Sequence, residues 1–376
     1  MRRELSDGKL VGLVLLDLQK AFDCVDHDIL LDKLGKMGVA SVDWFRSYLS
    51  DRRQCVMVDG VLSEFRAVSC GVPQGSILGP ILFLCYVNDM SISLRCHLSL
   101  YADDSTLVAS GRDAAELGRY LSEQLARCKD WMVDNRLSLH LGKTDCILIG
   151  SRRRLQNEED FRVLCDGLEV KRVSNVRYLG VMLDEEFKGK VQAMSVVKKV
   201  ASRLGFLYRG ASLLDLNARR VMCMALVQPC IDFCIVSWYV GLSGELRERL
   251  AILQRKMVRY VYGWGPRTDV GTGTLRELGW LLVSDRVRYF AILHAFRISK
   301  GLAPSYLSRN FVRIGDVHGH QTRGSAFDFH ISGGDIPGSF SYFSKVQWND
   351  LPVQLKSIDS GTIFKAKLKG YLMEEY

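Results

Sequence analysis

The sequence predicts an α+β fold for the first half of its 376 residues and a mainly α-helical one for the second. Three patterns carry that expectation. Residues 10–16 form a continuous apolar run, as a strand buried on both faces requires. Residues 98–109 alternate around Asp103-Asp104, which predicts a hairpin turning at the acids. Beyond residue 186 the apolar residues recur mainly at helical spacing to about Lys300.

The remaining elements follow in order. Ile29, Leu30, Leu34 and Met37 are spaced for a helix over residues 28–37, and Gly38 supplies its stop. Residues 54–58 and 65–69, joined across Asp59-Gly60, predict another hairpin. Gly71 to Gly75 is a Gly/Pro loop, and residues 77–90 read as an apolar helix. Leu117, Leu121, Leu125 and Cys128 mark a helix running to about Trp131. Short strands are expected at residues 146–149, 161–164 and 176–183. The tail from Gly301 is richer in Gly, Ser and His and less regular, and no internal repeat or low-complexity segment occurs.

Composition narrows the class. With 48% hydrophobic and 25% charged residues and seven prolines, the chain can bury a sizeable core and is not a disordered tail. Eleven cysteines, an odd number with no CxxC pair, speak against a disulfide scaffold and a zinc module and for a reducing, intracellular setting in cytoplasm or nucleus rather than secretion. The apolar run at residues 10–16 is too soon interrupted by Asp17 for a signal peptide or membrane span. Residues 221–242 would tempt a hydropathy window, but Gln228, Pro229 and Asp232 interrupt them; a buried, broken helix and no membrane partner are expected.

Charge divides the chain. Residues 1–110 carry 11 Lys and Arg against 14 Asp and Glu, a balance of −3, and the rest carries +12 of the total +9. Eight cations between Lys188 and Arg220, Lys198, Lys199 and Arg203 among them, face one acid, Asp215. An acidic part followed by a basic one fits a metal-binding centre joined to a grip on a polyanion, although basic helices are as often simply solvated. Residues 246–260 predict an amphipathic helix with Leu250, Leu253 and Met257 on one face and Arg255, Lys256 and Arg259 elsewhere.

The acids carry the chemistry. Asp17 ends a strongly hydrophobic strand, where a carboxylate costs solvation unless water or a cation reaches it. If the fold brings Asp17, Asp103 and Asp104 together, they repel one another and call for a divalent ion between them. Paired magnesium ions about 4 Å apart clamp an in-line phosphoryl displacement. Other clusters are weaker. His318, His320 and His330 lack a completing cysteine or acid, Cys230 and Cys234 one helical turn apart read as small apolar packing residues, and Arg152-Arg153-Arg154 reads equally as a phosphate contact or an exposed linker. Asp23 and Asp26 are assigned to helix capping rather than metal.

Residues 16–23 (Leu-Asp-Leu-Gln-Lys-Ala-Phe-Asp), 71–80 (Gly-Val-Pro-Gln-Gly-Ser-Ile-Leu-Gly-Pro) and 101–104 (Tyr-Ala-Asp-Asp) resemble the consecutive palm motifs of reverse transcriptases. The wording is closest to non-LTR, LINE-class retrotransposons, jockey-like elements in particular, and the likeness continues through residues 131–144, 177–180, 278–280 and 348–352. The resemblance implies a polymerase palm, a ferredoxin-like antiparallel sheet packed on helices, over residues 1–185 with a primer-grip hairpin. A helical thumb-like region would follow over 186–300 and a C-terminal retroelement region over 301–376. It implies an RNA-directed DNA polymerase that takes an RNA template, a DNA primer and dNTPs.

The same resemblance assigns roles. Asp17 and Asp103 would hold two Mg2+ ions, for which Mn2+ can substitute, with Asp104 assisting and the Leu18 carbonyl completing one ion's ligands. Phe22 would stand under the sugar and reject a ribose 2′-hydroxyl, Pro73, Gln74 and Gly75 would line the nucleotide, and Lys143 would protonate departing pyrophosphate. Tyr178, Leu179 and Gly180 would grip the primer end. His140 stands where that family usually has Asn, and the fingers motifs that precede the first catalytic strand are missing, so an N-terminally truncated product is expected. Two other classes stay open: a non-catalytic nucleic-acid-binding fragment, and an RNA-templated RNA polymerase or intron-encoded maturase. Phe22 and the Val72-Pro73-Gln74 wording speak against the RNA polymerase, and a maturase should show its own domain in the C-terminal sequence.

Overall fold

The computed structural model describes residues 1–156, 160–317 and 327–375. Two compact units divide the chain, with the boundary between Leu179 and Gly180. The helical and C-terminal regions expected as separate domains thus fall in one unit, which begins a few residues before the expected boundary.

The first unit is built on a five-stranded sheet. Its strands are β1 (Leu10–Leu16), β2 (His97–Tyr101), β3 (Asp104–Gly111), β4 (Asp145–Ile149) and β5 (Lys171–Arg172), in spatial order β5-β4-β1-β3-β2. The apolar run became β1 because it is the central strand, paired antiparallel to β3 on one side and β4 on the other. Leu10 and Val14 are wholly buried. The sheet is antiparallel except at its edge, where β5 runs parallel to β4; the long connection between them permits a parallel pairing that a tight turn forbids. The mixed α+β character expected from the sequence is present, and the parallel edge corrects the purely antiparallel expectation.

Helix Ala114–Asp134 covers the sheet with Leu117, Leu121, Leu125 and Cys128 in the core, the periodicity that predicted it. Asp113 caps its start, accepting from the Glu116 amide at 2.7 Å. Helix His27–Lys36 is capped by Asp26, whose Oδ1 accepts from the amides of Asp28 and Ile29 at 3.0 Å. Lys33 on this helix is buried, and its ammonium donates to Asp89 and to the Tyr86 carbonyl, each at 2.7 Å.

Three local expectations need correcting. The strand at residues 161–164 shrinks to Leu164–Cys165, because Phe161 and Val163 bury their side chains in the core from irregular backbone. The strand at 176–183 is two strands, Asn175–Tyr178 and Val181–Asp184, separated where Leu179 and Gly180 take left-handed φ of +45° and +83°. The hairpin at 54–69 forms with Asp59-Gly60 at its tip, but as two short ladders, Met57–Val58 with Val61–Leu62 and Arg53–Gln54 with Arg66–Ala67. All eight ladder residues are exposed, so no core enforces a longer register.

Among its described residues, the second unit is helical apart from Val181–Asp184, which opens it, and an isolated bridge between Arg313 and Phe329, and these residues hold two apolar clusters. The stretch Leu216–Trp238 is long and apolar enough to cross a membrane by length and composition alone. It is broken into Leu216–Leu226, Gln228–Asp232 and Ile235–Trp238, and Cys223, Val227, Ile231, Ile235 and Trp238 are buried in the unit's own core. Cys230 packs there as expected, but Cys234 is exposed at φ +49°, off any shared helix face with Cys230.

The Trp-Asn-Asp-Leu-Pro segment at 348–352 is structural. Trp348 donates to the Phe327 carbonyl at 2.8 Å, and the Asn349 amide brackets Phe329, accepting from its N–H at 2.9 Å and donating to its C=O at 2.8 Å. Lys345 pairs with Asp335 and Lys356 with Asp328, both lysines buried.

Candidate active site

The site lies at one end of β1. The register pairs Leu16 with Ser105, so Asp17, the next residue, comes beside Asp104 at the start of β3. Tyr101 pairs with Asp104, which leaves Ala102-Asp103 as the two-residue tip of the hairpin, with Ala102 at φ +53°. Carboxylates 86 and 87 positions apart in the chain thus gather on one edge because β1 and β3 pair without a slip. Burial first, and then the charges of Asp103 and Asp17, push the Asp104 carboxyl above the usual Asp value. Among the described residues, no three His, Cys, Asp or Glu side chains already converge as an ion cage. Their chemistry nevertheless suits a hard cation: the donors are carboxylate oxygens, and mutual repulsion is what a cation would relieve.

Beyond Asp17 the chain is held by a second segment. The Asp17 carbonyl accepts from the His140 amide at 2.7 Å, Gln19 donates to Ser138 at 2.9 Å, and Leu18 bridges Leu139. The Leu18 side chain is buried. A short turn, Leu141–Lys143, follows and places the Lys143 ammonium 3.9 Å from the Asp17 carboxylate. His140, where Asn was expected, serves this grip through its backbone, so the departure leaves Lys143 in place.

The loop at 71–75 is zipped along the turn that follows β1. Gly71 donates to the Val25 carbonyl at 2.7 Å and Val72 to the Phe22 carbonyl at 2.9 Å, while His27 Nε2 meets the Gly71 carbonyl at 2.8 Å. Gly71 sits at φ +90°, and a Cβ there would lie 2.8–3.0 Å from the Asp23 backbone. The Gln74 amide donates to Asp23 Oδ1 at 2.8 Å. Phe22 is half-buried, its ring stacked 4.4 Å from that of Phe83. Pro73 accepts from the Ser76 hydroxyl at 2.7 Å, which turns the loop into helix Leu78–Val87.

A cleft of ≈ 760 Å³ opens alongside, lined by Lys20, Arg52, Arg53, Asp23 and Gln74. Sequence reasoning passed over Lys20, Arg52 and Arg53, and gave Asp23 only a capping role. Asp26 is the cap; Asp23 faces Gln74. The signal for Lys20 was its position between Asp17 and Phe22, whereas Arg52 and Arg53 reach the cleft only through the hairpin's fold.

Elsewhere the expected residues divide. Tyr178 closes the first unit with its hydroxyl 2.8 Å from that of Ser99 on β2. In the second unit Lys198 and Lys199 are exposed on helix Lys190–Arg209, but Arg203 points inward, donating to the Leu226 carbonyl and Cys230. On helix Gly244–Tyr262, Lys256 is exposed, whereas Arg255 pairs with Glu248 and Arg259 donates to the Thr268 carbonyl at 2.7 Å. Arg152 and Arg153 are exposed, while Arg154 donates to the Gly8 and Arg112 carbonyls. His318 and His320 lie outside the described residues.

Residues 4–183 match the reverse transcriptase (RNA-dependent DNA polymerase) family. Similar proteins include RNA-directed DNA polymerases of transposable elements. The chain is 28% identical over 72% of its length to a probable RNA-directed DNA polymerase from transposon BS of Drosophila melanogaster, covering 32% of that protein. To the RNA-directed DNA polymerase from mobile element jockey of Drosophila funebris it is 26% identical over 70% of its length, covering 30% of that protein. The putative 115 kDa protein in type-1 retrotransposable element R1DM of Drosophila melanogaster is 28% identical over 64% of this chain. The chain therefore spans about a third of the length of the curated relatives first compared, 32% and 30%.

Proposed function

We propose that the chain carries the polymerising centre of a non-LTR retrotransposon reverse transcriptase, adding dNTPs to a primer 3′-hydroxyl on an RNA template. The observation that supports this most is the β1–β3 register, which sets Asp17 beside Asp104 at the hairpin tip. In this reading the first unit is a palm, with Asp17, Asp103 and Asp104 as the residues that would hold Mg2+, joined by the Leu18 carbonyl. Two such ions, when bound, would activate the primer hydroxyl and neutralise the triphosphate.

The chain's own groups supply the rest. Phe22, braced against Phe83, would place its ring under the sugar, where a 2′-hydroxyl would clash. Gln74 and Gly75 present polar edge and bare backbone to the nucleotide from a loop that cannot drift from Phe22. Lys143 holds a proton near Asp17 for the leaving pyrophosphate. The Tyr178-Leu179-Gly180 turn would support the primer end, and the helices bearing Lys198, Lys199 and Lys256 would lie along duplex phosphates as a thumb does. Arg203, Arg255 and Arg259, engaged within the unit, would add little to that face.

The test is primer extension on an RNA template with Mg2+, offering dNTPs and rNTPs to wild type and Asp103→Asn. Wild type is expected to extend with dNTPs only, and the Asn variant to lose at least about a hundredfold, as removal of charge stabilisation at a reacting centre does. Equal extension by the Asn variant refutes the metal assignment, and equal use of rNTPs refutes the Phe22 assignment. Salt-sensitive binding of an RNA–DNA duplex with no extension would instead identify a binding fragment.

A further inference from the structure

We propose that Asp23 is a positioning residue that sets nucleotide selectivity, acting through Gln74; this rests on the polymerase reading above. Asp23 follows Phe22 directly, and the two residues anchor the 70–74 loop by different atoms. The Phe22 carbonyl takes the Val72 amide, the Asp23 carbonyl takes the Cys70 thiol at 3.3 Å, and the Asp23 carboxylate takes the Gln74 amide. Gly71 closes the gap, since its missing Cβ is what allows the loop to touch the Asp23 backbone. Spacing between the sugar-facing ring and the base-facing loop is therefore fixed at Phe22-Asp23.

The side-chain bond fixes what the backbone bonds cannot. Gln74 is exposed, and free amides of that kind sample several rotamers. With one N–H committed to Asp23 Oδ1, the amide plane is set, and its other N–H and its oxygen remain for a substrate hydroxyl or base. Loss of Asp23 would thus loosen the amide.

The experiment uses the full chain with RNA template, DNA primer and Mg2+, reading single-nucleotide incorporation of a dNTP and the matching rNTP. Asp23→Ala is expected to raise the dNTP KM about fivefold with kcat changed less than about twofold, as loss of one charge-assisted hydrogen bond at an exposed site implies. The dNTP-over-rNTP preference should fall by about the same factor. Asp23→Asn, whose Oδ1 still accepts, should stay within about twofold of wild type. Adding Gln74→Ala to Asp23→Ala should do no more than Gln74→Ala alone, because the effect passes through that amide. A merely structural role would lower the active fraction for both substrates and leave their ratio unmoved, and that result overturns the proposal. So does an Asn variant as impaired as the Ala variant. If wild type incorporates nothing, the polymerase reading fails and this proposal falls with it, whereas normal incorporation with unchanged selectivity in Asp23→Ala overturns this proposal alone.

Discussion

Three glycines of one loop and helix start, Gly71, Gly75 and Gly79, should respond very differently to the same added methyl group. Gly71 has φ +90° and a would-be Cβ within 3.0 Å of three Asp23 backbone atoms. Gly75 has φ +80° but nothing within 4 Å. Gly79 has ordinary backbone, yet its Cβ would lie 2.6 Å from the Pro73 carbonyl oxygen. A left-handed conformation costs a non-glycine residue about 1–2 kcal/mol, and alanine recovers about 0.4–1 kcal/mol by restricting the unfolded chain. Forcing an extra methyl against packed backbone adds about 1–3 kcal/mol. Gly75→Ala should therefore cost about 1 kcal/mol, and Gly71→Ala about 2–4 kcal/mol. Gly79→Ala, with the clash but no unusual dihedral, should fall between them, at about 1–2 kcal/mol. Urea unfolding of the three variants checks this, with amide exchange of the β1 residues Leu10–Leu16 reporting on the first unit by itself. If Gly71→Ala is no more destabilising than Gly75→Ala, the loop does not press on Asp23, and the zipped arrangement is wrong.

Three further outcomes can be checked. Because burial and then the neighbouring charges raise the Asp104 pKa, its ionised form is disfavoured in the fold; stability is penalised above the folded pKa and recovers as pH falls through it. Asp104→Asn should thus stabilise the metal-free protein at neutral pH by about 0.5 kcal/mol or less, given its exposure, and reduce the thermal shift that added Mg2+ produces; a lower melting point than wild type without metal would refute this. Native alkylation followed by mass spectrometry should label exposed Cys70 and Cys234 at pH 8 and spare Cys128, Cys146 and Cys223, whose thiols burial pushes up to about 12; labelling of the latter before unfolding would contradict their placement. Asn349→Ala, which leaves both Phe329 backbone groups without their partner, should cost the second unit about 1–3 kcal/mol in urea unfolding, and a change under about 0.5 kcal/mol would show that water replaces the clip.

The parts of the fold legible in the sequence were those where one local signal decided the outcome. Leu10–Leu16 had no polar residue to contradict a two-sided strand, and Leu117 to Cys128 kept helical period through about three turns. Phe161 and Val163 misled because burial without ladder bonds looks, in the sequence, like a strand. At the site, Asp17 announced itself by ending an apolar run, and Asp103-Asp104 by standing at the turn of an alternating segment. The cleft cations did not, because Arg52 and Arg53 reach Lys20 and Asp23 only once residues 52–74 fold back, a relation between distant segments that no local pattern encodes. Arg203 shows the converse: a cation in a basic run reads as surface, yet this one caps the broken end of Leu216–Leu226.

The central place of β1 has a consequence for how the polypeptide is made. It is synthesised before both of its neighbours, of which β3 ends at Gly111 and β4 at Ile149. At about 5–20 residues per second, the roughly 95 residues from Leu16 to Gly111 take about 5–19 s to emerge, during which the strand has neither sheet partner. A ribosome that pauses within that window would hold an unpaired apolar strand in the open, so yield in any expression host should depend on translation speed across residues 17–111 and on the chaperones that meet Leu10–Leu16.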